Sequence, residues 1–109
     1  MKSRLAIRCA VLLVAAAQAQ SFTPKGGFVP DSITAVKIAE AVLIPVYGKE
    51  LVESERPFTA KLENGVWTVR GTLHCPNGKG GQTMVCVGGT AEVKLSKGDG
   101  RILEMIHYK

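Results

Sequence analysis

The chain is poor in the side chains that do chemistry. Its 109 residues include two histidines, one tryptophan and three cysteines, and no recognisable catalytic motif joins them. The longest apolar run is about half the roughly 20 residues that a membrane-spanning helix needs, which excludes stable insertion into a bilayer. No internal repeat or low-complexity segment appears, and the length suits one domain. A basic excess is present, with 14 Lys and Arg against nine Asp and Glu, but much of it is concentrated at the start.

That start, MKSRLAIRCAVLLVAAAQAQ, places Lys2, Arg4 and Arg8 ahead of a short apolar run that ends in Ala17-Gln18-Ala19. Cations, an apolar stretch and small residues at the cleavage positions predict a secretory signal over residues 1–19, hence export to the periplasm. Cys9 follows Arg8 rather than the small apolar triplet of a lipoprotein signal, so no lipid anchor is expected. Residues 1–19 hold three of the 14 basic residues and none of the nine acidic ones, which leaves the mature part at +2. A charge that small gives little support to nucleic acid as a partner.

Cleavage leaves Cys75 and Cys86 as the only cysteines. In an exported chain, two cysteines flanking one loop are expected to pair. In the chain-entropy picture such a bridge contributes on the order of 2–3 kcal/mol.

Residues 20–28 mix Pro, Gly and polar side chains and read as a flexible lead-in, followed by a single domain over 29–109. Pro30 and Asp31 or Ser32 mark a helix start, and Gly48 marks its stop. Ala35, Val36, Ala39, Val42, Leu43, Val46 and Tyr47 share a broad face, widened by Ile33, Ile38 and Ile44. So apolar a helix is expected to lie in the trough of a curved sheet, with Pro45 kinking or ending its last turn. The charged run KELVESERP reads as a solvated connector anchored by Leu51 and Val52.

Strands follow. Phe58, Ala60 and Leu62 alternate with Thr59 and Lys61 over Pro57 to Glu63, the period of a half-buried strand. Asn64-Gly65 is a strong hairpin signal. The second strand, Val66 to Cys75, sets Trp67, Val69, Gly71, Leu73 and Cys75 against Thr68, Arg70, Thr72 and His74. Residues 76–83 are turn formers. A third strand from Met84 to Ser96 carries Gly88-Gly89, which predicts a bulge or bend. A Lys97 to Gly100 turn leads to a last strand, Arg101 to Tyr108, with apolar groups on both faces. That strand suits an edge used in an interface and leaves room for a homodimer. The fold class is therefore α+β: one N-terminal helix packed on a curved four-stranded antiparallel meander.

Candidate chemistry is sparse. His74, Cys75, Cys86 and His107 are zinc-ligand types, but their spacing matches no finger pattern and neighbours His74 and Cys75 point to opposite strand faces. Gly78-Lys79-Gly80-Gly81 lacks the order of a phosphate loop and leads into no helix. No metal, cofactor or catalytic residue is expected, with one reservation: a free Cys75 beside a histidine would reopen a nucleophilic reading. What remains is a polar sheet face and a pinned loop suited to gripping another protein. The residues singled out for contact are Arg70, Thr72, His74, Asn77, Lys79, Gln82, Glu92 and Lys94.

Three stretches in order, VPDSITAVKIAEAVLIPVYG, RPFTAKLENGVWTVRGTL and GGTAEVKLSKGDGRILEMIH, resemble the small bacterial immunity proteins with a nuclear transport factor two-like fold. The matching positions are Pro30, Thr34, Ala35, Tyr47, Gly48, Pro57, Trp67, Val69, Gly71, Gly88, Gly89, Ala91, Asp99, Gly100 and His107. The resemblance implies a non-enzymatic protein that neutralises a co-encoded toxin by binding it. The segment from His74 to Val87 departs from the pattern and has the character of an insertion. The alternative is a periplasmic small-ligand-binding or regulatory domain of cystatin-like shape, using the hollow of the sheet.

Overall fold

Asp31 opens the first helix in extended conformation, its carboxylate accepting the Thr34 backbone N–H at 2.8 Å. The helix, α1, spans Ser32–Tyr47. It ends at Gly48, whose positive φ and N–H bond back to the Ile44 carbonyl close the last turn. Pro45 lies in the last turn, and the helix ends two residues after it, at Tyr47. The computed structural model describes residues 19–75 and 88–109. Residues 1–18 and 76–87, which take in most of the expected signal, the expected loop and the first part of the expected third strand, with Asn77, Lys79, Gln82 and Cys86, lie outside the described residues.

A second helix, α2, occupies Lys49–Ser54, where the charge pattern predicts a solvated connector. The six-residue turn forms because Val52 finds a buried seat and Glu55 follows it three residues later on the same face. The sheet consists of β1 (Thr59–Glu63), β2 (Val66–Arg70), β3 (Ala91–Ser96) and β4 (Ile102–His107), paired antiparallel in the order β1-β2-β3-β4. This is the expected meander. Asn64 and Gly65, both at positive φ, make its first turn.

Two boundaries differ from expectation. β2 stops at Arg70 instead of Cys75: Gly71 N–H still bonds the Ala91 carbonyl of β3, but Thr72 N–H turns to that of Glu55. β3 begins at Ala91, after the glycines, among the described residues; the 84–87 part of the expected strand lies outside them. The register irregularity lies further on, between Lys94 and Leu95.

The core lies between α1 and one sheet face. Ala35, Ala39 and Leu43 are buried on a single stripe against Trp67, Val69, Ala91, Val93 and Leu95. Small residues at 35 and 39 let the helix approach the sheet closely. The stripe is narrower than the apolar composition of α1 suggests: Ile33 is 68% exposed and Val46 59%, because the sheet covers only one side of the helix. Leu62, on edge strand β1, is likewise open, although it faces Trp67 in register as expected.

Val29 is buried and completes the core. The Trp67 indole N–H donates to its carbonyl at 2.8 Å. The Val29 and Phe28 N–H groups reach the carbonyls of Lys97 and Gly98, and the Lys97 ammonium donates to the Gly26 carbonyl. The segment just ahead of α1 is thus clasped by the β3–β4 turn.

Candidate partner-binding face

The sheet face turned away from α1 is built by register. Thr59, Arg70, Glu92 and Ile106 form one row across the four strands, and Lys61, Thr68, Lys94 and Glu104 form the next. No element covers these rows among the described residues. Their members on β1, β2 and β3, with Glu63, line an open hollow of about 580 Å³ with Tyr108 at its rim. A second open hollow, about 420 Å³, lies beyond Arg70 and is bounded by Leu73, Gly89, Thr90 and Tyr108.

Arg70 stands between the two. Its Nε–H donates to Glu92 Oε1 at 2.9 Å, and its Nη2 donates to the same oxygen. The Tyr108 hydroxyl donates to the other carboxylate oxygen at 3.4 Å. Strand alternation places Glu92 outward in solvent, yet it is 3% exposed, because Arg70 and Tyr108 lie over it. The arginine side chain itself is 60% exposed. Its hydrogen bonds to Glu92, followed by the Coulombic attraction, hold the guanidinium still more firmly charged than usual. In the next row Lys94 lies 3.9 Å from Glu104, both well exposed.

Arg70, Glu92 and Lys94 are therefore brought together, as the alternation of β2 and β3 implies. Thr72 and His74 are drawn elsewhere. The Thr72 hydroxyl donates to the Pro57 carbonyl at 2.6 Å, and His74 Nε2 donates to that of Arg56 at 2.7 Å. Both tie the stretch after β2 to the α2–β1 connection. Cys75 is engaged and carries no titrating thiol.

A second polar cluster lies on the core side. Glu55, 7% exposed, accepts the Ala91 N–H at 2.7 Å through Oε1 and meets His107 Nε2 at 2.7 Å through Oε2. His107 Nδ1 lies 2.8 Å from the Tyr108 carbonyl. A carbonyl only accepts, so Nδ1 is the donor in that contact. The Tyr47 ring leans over the imidazole at 5.4 Å. Gly71 closes one side of this carboxylate–imidazole pair: a Cβ there would meet Glu55 Oε1 at 2.9 Å. The pair fastens α2 to β3 and β4. The charge run hid Glu55, although its three-residue spacing from Val52 is the signal that places it inward.

Among the described residues no group of three or more His, Cys, Asp or Glu could hold a metal ion, and no helix is long and apolar enough to cross a membrane.

Residues 34–109 match the family described as NTF2 fold immunity protein. The chain belongs to that family. The helix followed by a four-stranded antiparallel sheet is consistent with the nuclear transport factor two-like fold expected from the motifs. The chain is also similar to a protein called "Uncharacterized protein YhhH" from Escherichia coli (strain K12), 31% identical over 81 residues. The alignment covers 74% of this chain and 58% of that relative. No solved structure matches the chain.

Proposed function

We propose that this protein is an exported immunity protein that binds a cognate toxin in the periplasm and blocks it, with no reaction of its own. The single observation that carries the reading is the family match over residues 34–109. The signal-like first 19 residues support export, and the family supports a toxin as the partner. In the same reading Cys75 and Cys86 form the disulfide that holds the loop between β2 and β3. Both histidines fit a non-enzymatic role, since each is bound to groups that build the fold. A small-ligand role would be favoured by an enclosed cavity, and the hollows described here are open.

The test is co-expression in the periplasm with the product of the adjacent gene, followed by pull-down from the same cells. Protection of the host together with a stoichiometric complex is the expected result. An adjacent product that is toxic there, is not neutralised and forms no complex overturns the reading.

A further inference from the structure

β1 is the last strand on its side of the sheet, and its free edge borders a hollow. The two-residue turn at Asn64-Gly65 closes on the Glu63–Val66 pair, so alternation makes Lys61–Thr68 and Thr59–Arg70 the hydrogen-bonded pairs. The Gly71 N–H bond to the Ala91 carbonyl agrees, because it turns Thr68 and Arg70 away from β3 and toward β1. The N–H and C=O groups of Ala60 and Leu62 therefore point away from β2, to the open edge. Their side chains lie on the α1 side, opposite Val69 and Trp67.

Beside that edge α1 and β1 enclose an open hollow of about 480 Å³. Its walls are mainly apolar: Ile33 and Val36 from the helix, Phe58 and Ala60 from the strand side, with Lys37 among them. Ile33 leaves most of its side chain in solvent. A row of free backbone groups is completed by another extended segment, and pockets along one side of the row take its alternate side chains.

We infer that β1 is lengthened into a five-stranded sheet by an extended segment of the protein partner, whose apolar side chains, two residues apart, enter the hollow between α1 and β1. The intervening residues of that segment lie on the outer side beside Lys61 and Glu63, where charges opposite to each suit them. The identity of the partner rests on the immunity reading; the kind of segment rests on the edge alone. A second copy of the chain suits the edge poorly. In a β1–β1 pair, the register that sets Leu62 opposite Ala60 also sets Lys61 opposite Lys61. Seating β4 of one copy on β1 of the next makes a head-to-tail contact that does not close.

The first test needs no toxin. In amide exchange of the mature protein, Ala60 and Leu62 are expected to exchange faster than Lys61, and equal protection overturns the inference. A capped heptapeptide that alternates valine with lysine, threonine and glutamate is then titrated in. It is expected to shift the amide signals of Ile33, Ala60 and Leu62 and to slow exchange at the last two. A peptide of the same composition with its valines in one block is expected to do neither, and equal effects of the two peptides, or none, overturn the inference.

The second test is affinity for the adjacent gene's product. Ala60→Pro removes a donor that faces solvent, so the free fold loses no ladder bond, while the ring blocks the edge. Ile33→Glu puts a charge into the hollow from an exposed position. Each is expected to weaken the complex about tenfold or more, and Leu103→Glu, on the opposite edge strand, is expected to bind like wild type. Should Ala60→Pro fail to fold, Ile33→Glu and the peptides decide. Undiminished binding by the β1-edge variants, or loss confined to Leu103→Glu, overturns the inference and leaves the immunity reading intact. Wild-type dimers that Ala60→Pro dissociates overturn it in favour of a second copy. Absence of any complex with a toxic adjacent product overturns the immunity reading instead, and the peptide titration then decides the edge by itself.

Discussion

Glu55 and His107, 52 residues apart in sequence, stand 2.7 Å apart through Oε2 and Nε2 and join the end of α2 to the last strand. The same carboxylate holds the Ala91 N–H at the start of β3. One side chain therefore fixes three elements.

Glu55→Ala leaves that buried N–H without its acceptor and is expected to destabilise the fold by about 1–3 kcal/mol. His107→Ala is expected to cost less, because Glu55 still serves Ala91. The double variant is expected to be less destabilised than the sum of the two, by about 0.5–3 kcal/mol. Chemical denaturation of the four proteins measures the coupling. Strict additivity would show that the pair does not act as a unit.

Gly71 is expected to tolerate no side chain. An added Cβ would lie 3.0 Å from both Glu55 Cβ and Phe58 Cε2, so Gly71→Ala is expected to destabilise by about 1–3 kcal/mol through overpacking. At Gly98 the nearest atom would be 3.8 Å away, and Gly98→Ala is expected to stay within about 0.5 kcal/mol of wild type. Equal denaturation midpoints for the two variants would contradict the packing described around Gly71.

The single buried stripe of α1 gives a contrast between two of its large aliphatic residues. Leu43 is fully buried, so Leu43→Ala is expected to cost about 2–5 kcal/mol. Ile33 faces solvent, and Ile33→Ala is expected to change stability by less than about 0.5 kcal/mol. Thermal unfolding followed by the fluorescence of Trp67, the single tryptophan, reads both.

Acid is expected to loosen one helix cap and one turn. The Thr34 N–H holds the Asp31 carboxyl below its ordinary value of 3.8, and the Arg101 N–H does the same at Asp99. Both folded values are depressed, so their stabilisation is fully present above the ordinary carboxylate value and is lost as pH falls through the lower folded one. Asn caps a helix about as well as Asp, and makes the same side-chain turn two residues on, but carries no charge. Asp31→Asn/Asp99→Asn is therefore expected to match wild type near neutrality and to show a shallower fall in melting temperature below about pH 4. An unchanged acid limb would contradict the assignment.

The parts of the fold that depend on neighbours in sequence were legible. Asp31 and Gly48 bracket α1, Asn64-Gly65 makes its hairpin, and alternation in β2 and β3 sets Trp67 and Val93 against Arg70 and Lys94. What escaped depends on distant groups. α2 was hidden because KELVES is short and charged, and its burial comes from contacts that Val52 and Glu55 make with other elements. β2 stops early because Thr72 answers to the Glu55 carbonyl. Glu92 sits where alternation puts a solvated residue, but Tyr108 from the end of the chain closes over it. On the outer sheet face, the residue types were readable; the anchoring that orients Arg70 was not.

The clasp of residues 26–29 by the β3–β4 turn sets an order on folding. The stretch leading into the first helix has no seat until the final hairpin exists, since Phe28 and Val29 bond to Gly98 and Lys97. A chain emerging amino end first must hold its beginning in waiting while some 70 further residues appear. Until that late closure, the half-made protein offers Val29 and the apolar stripe of α1 to any chaperone that meets it.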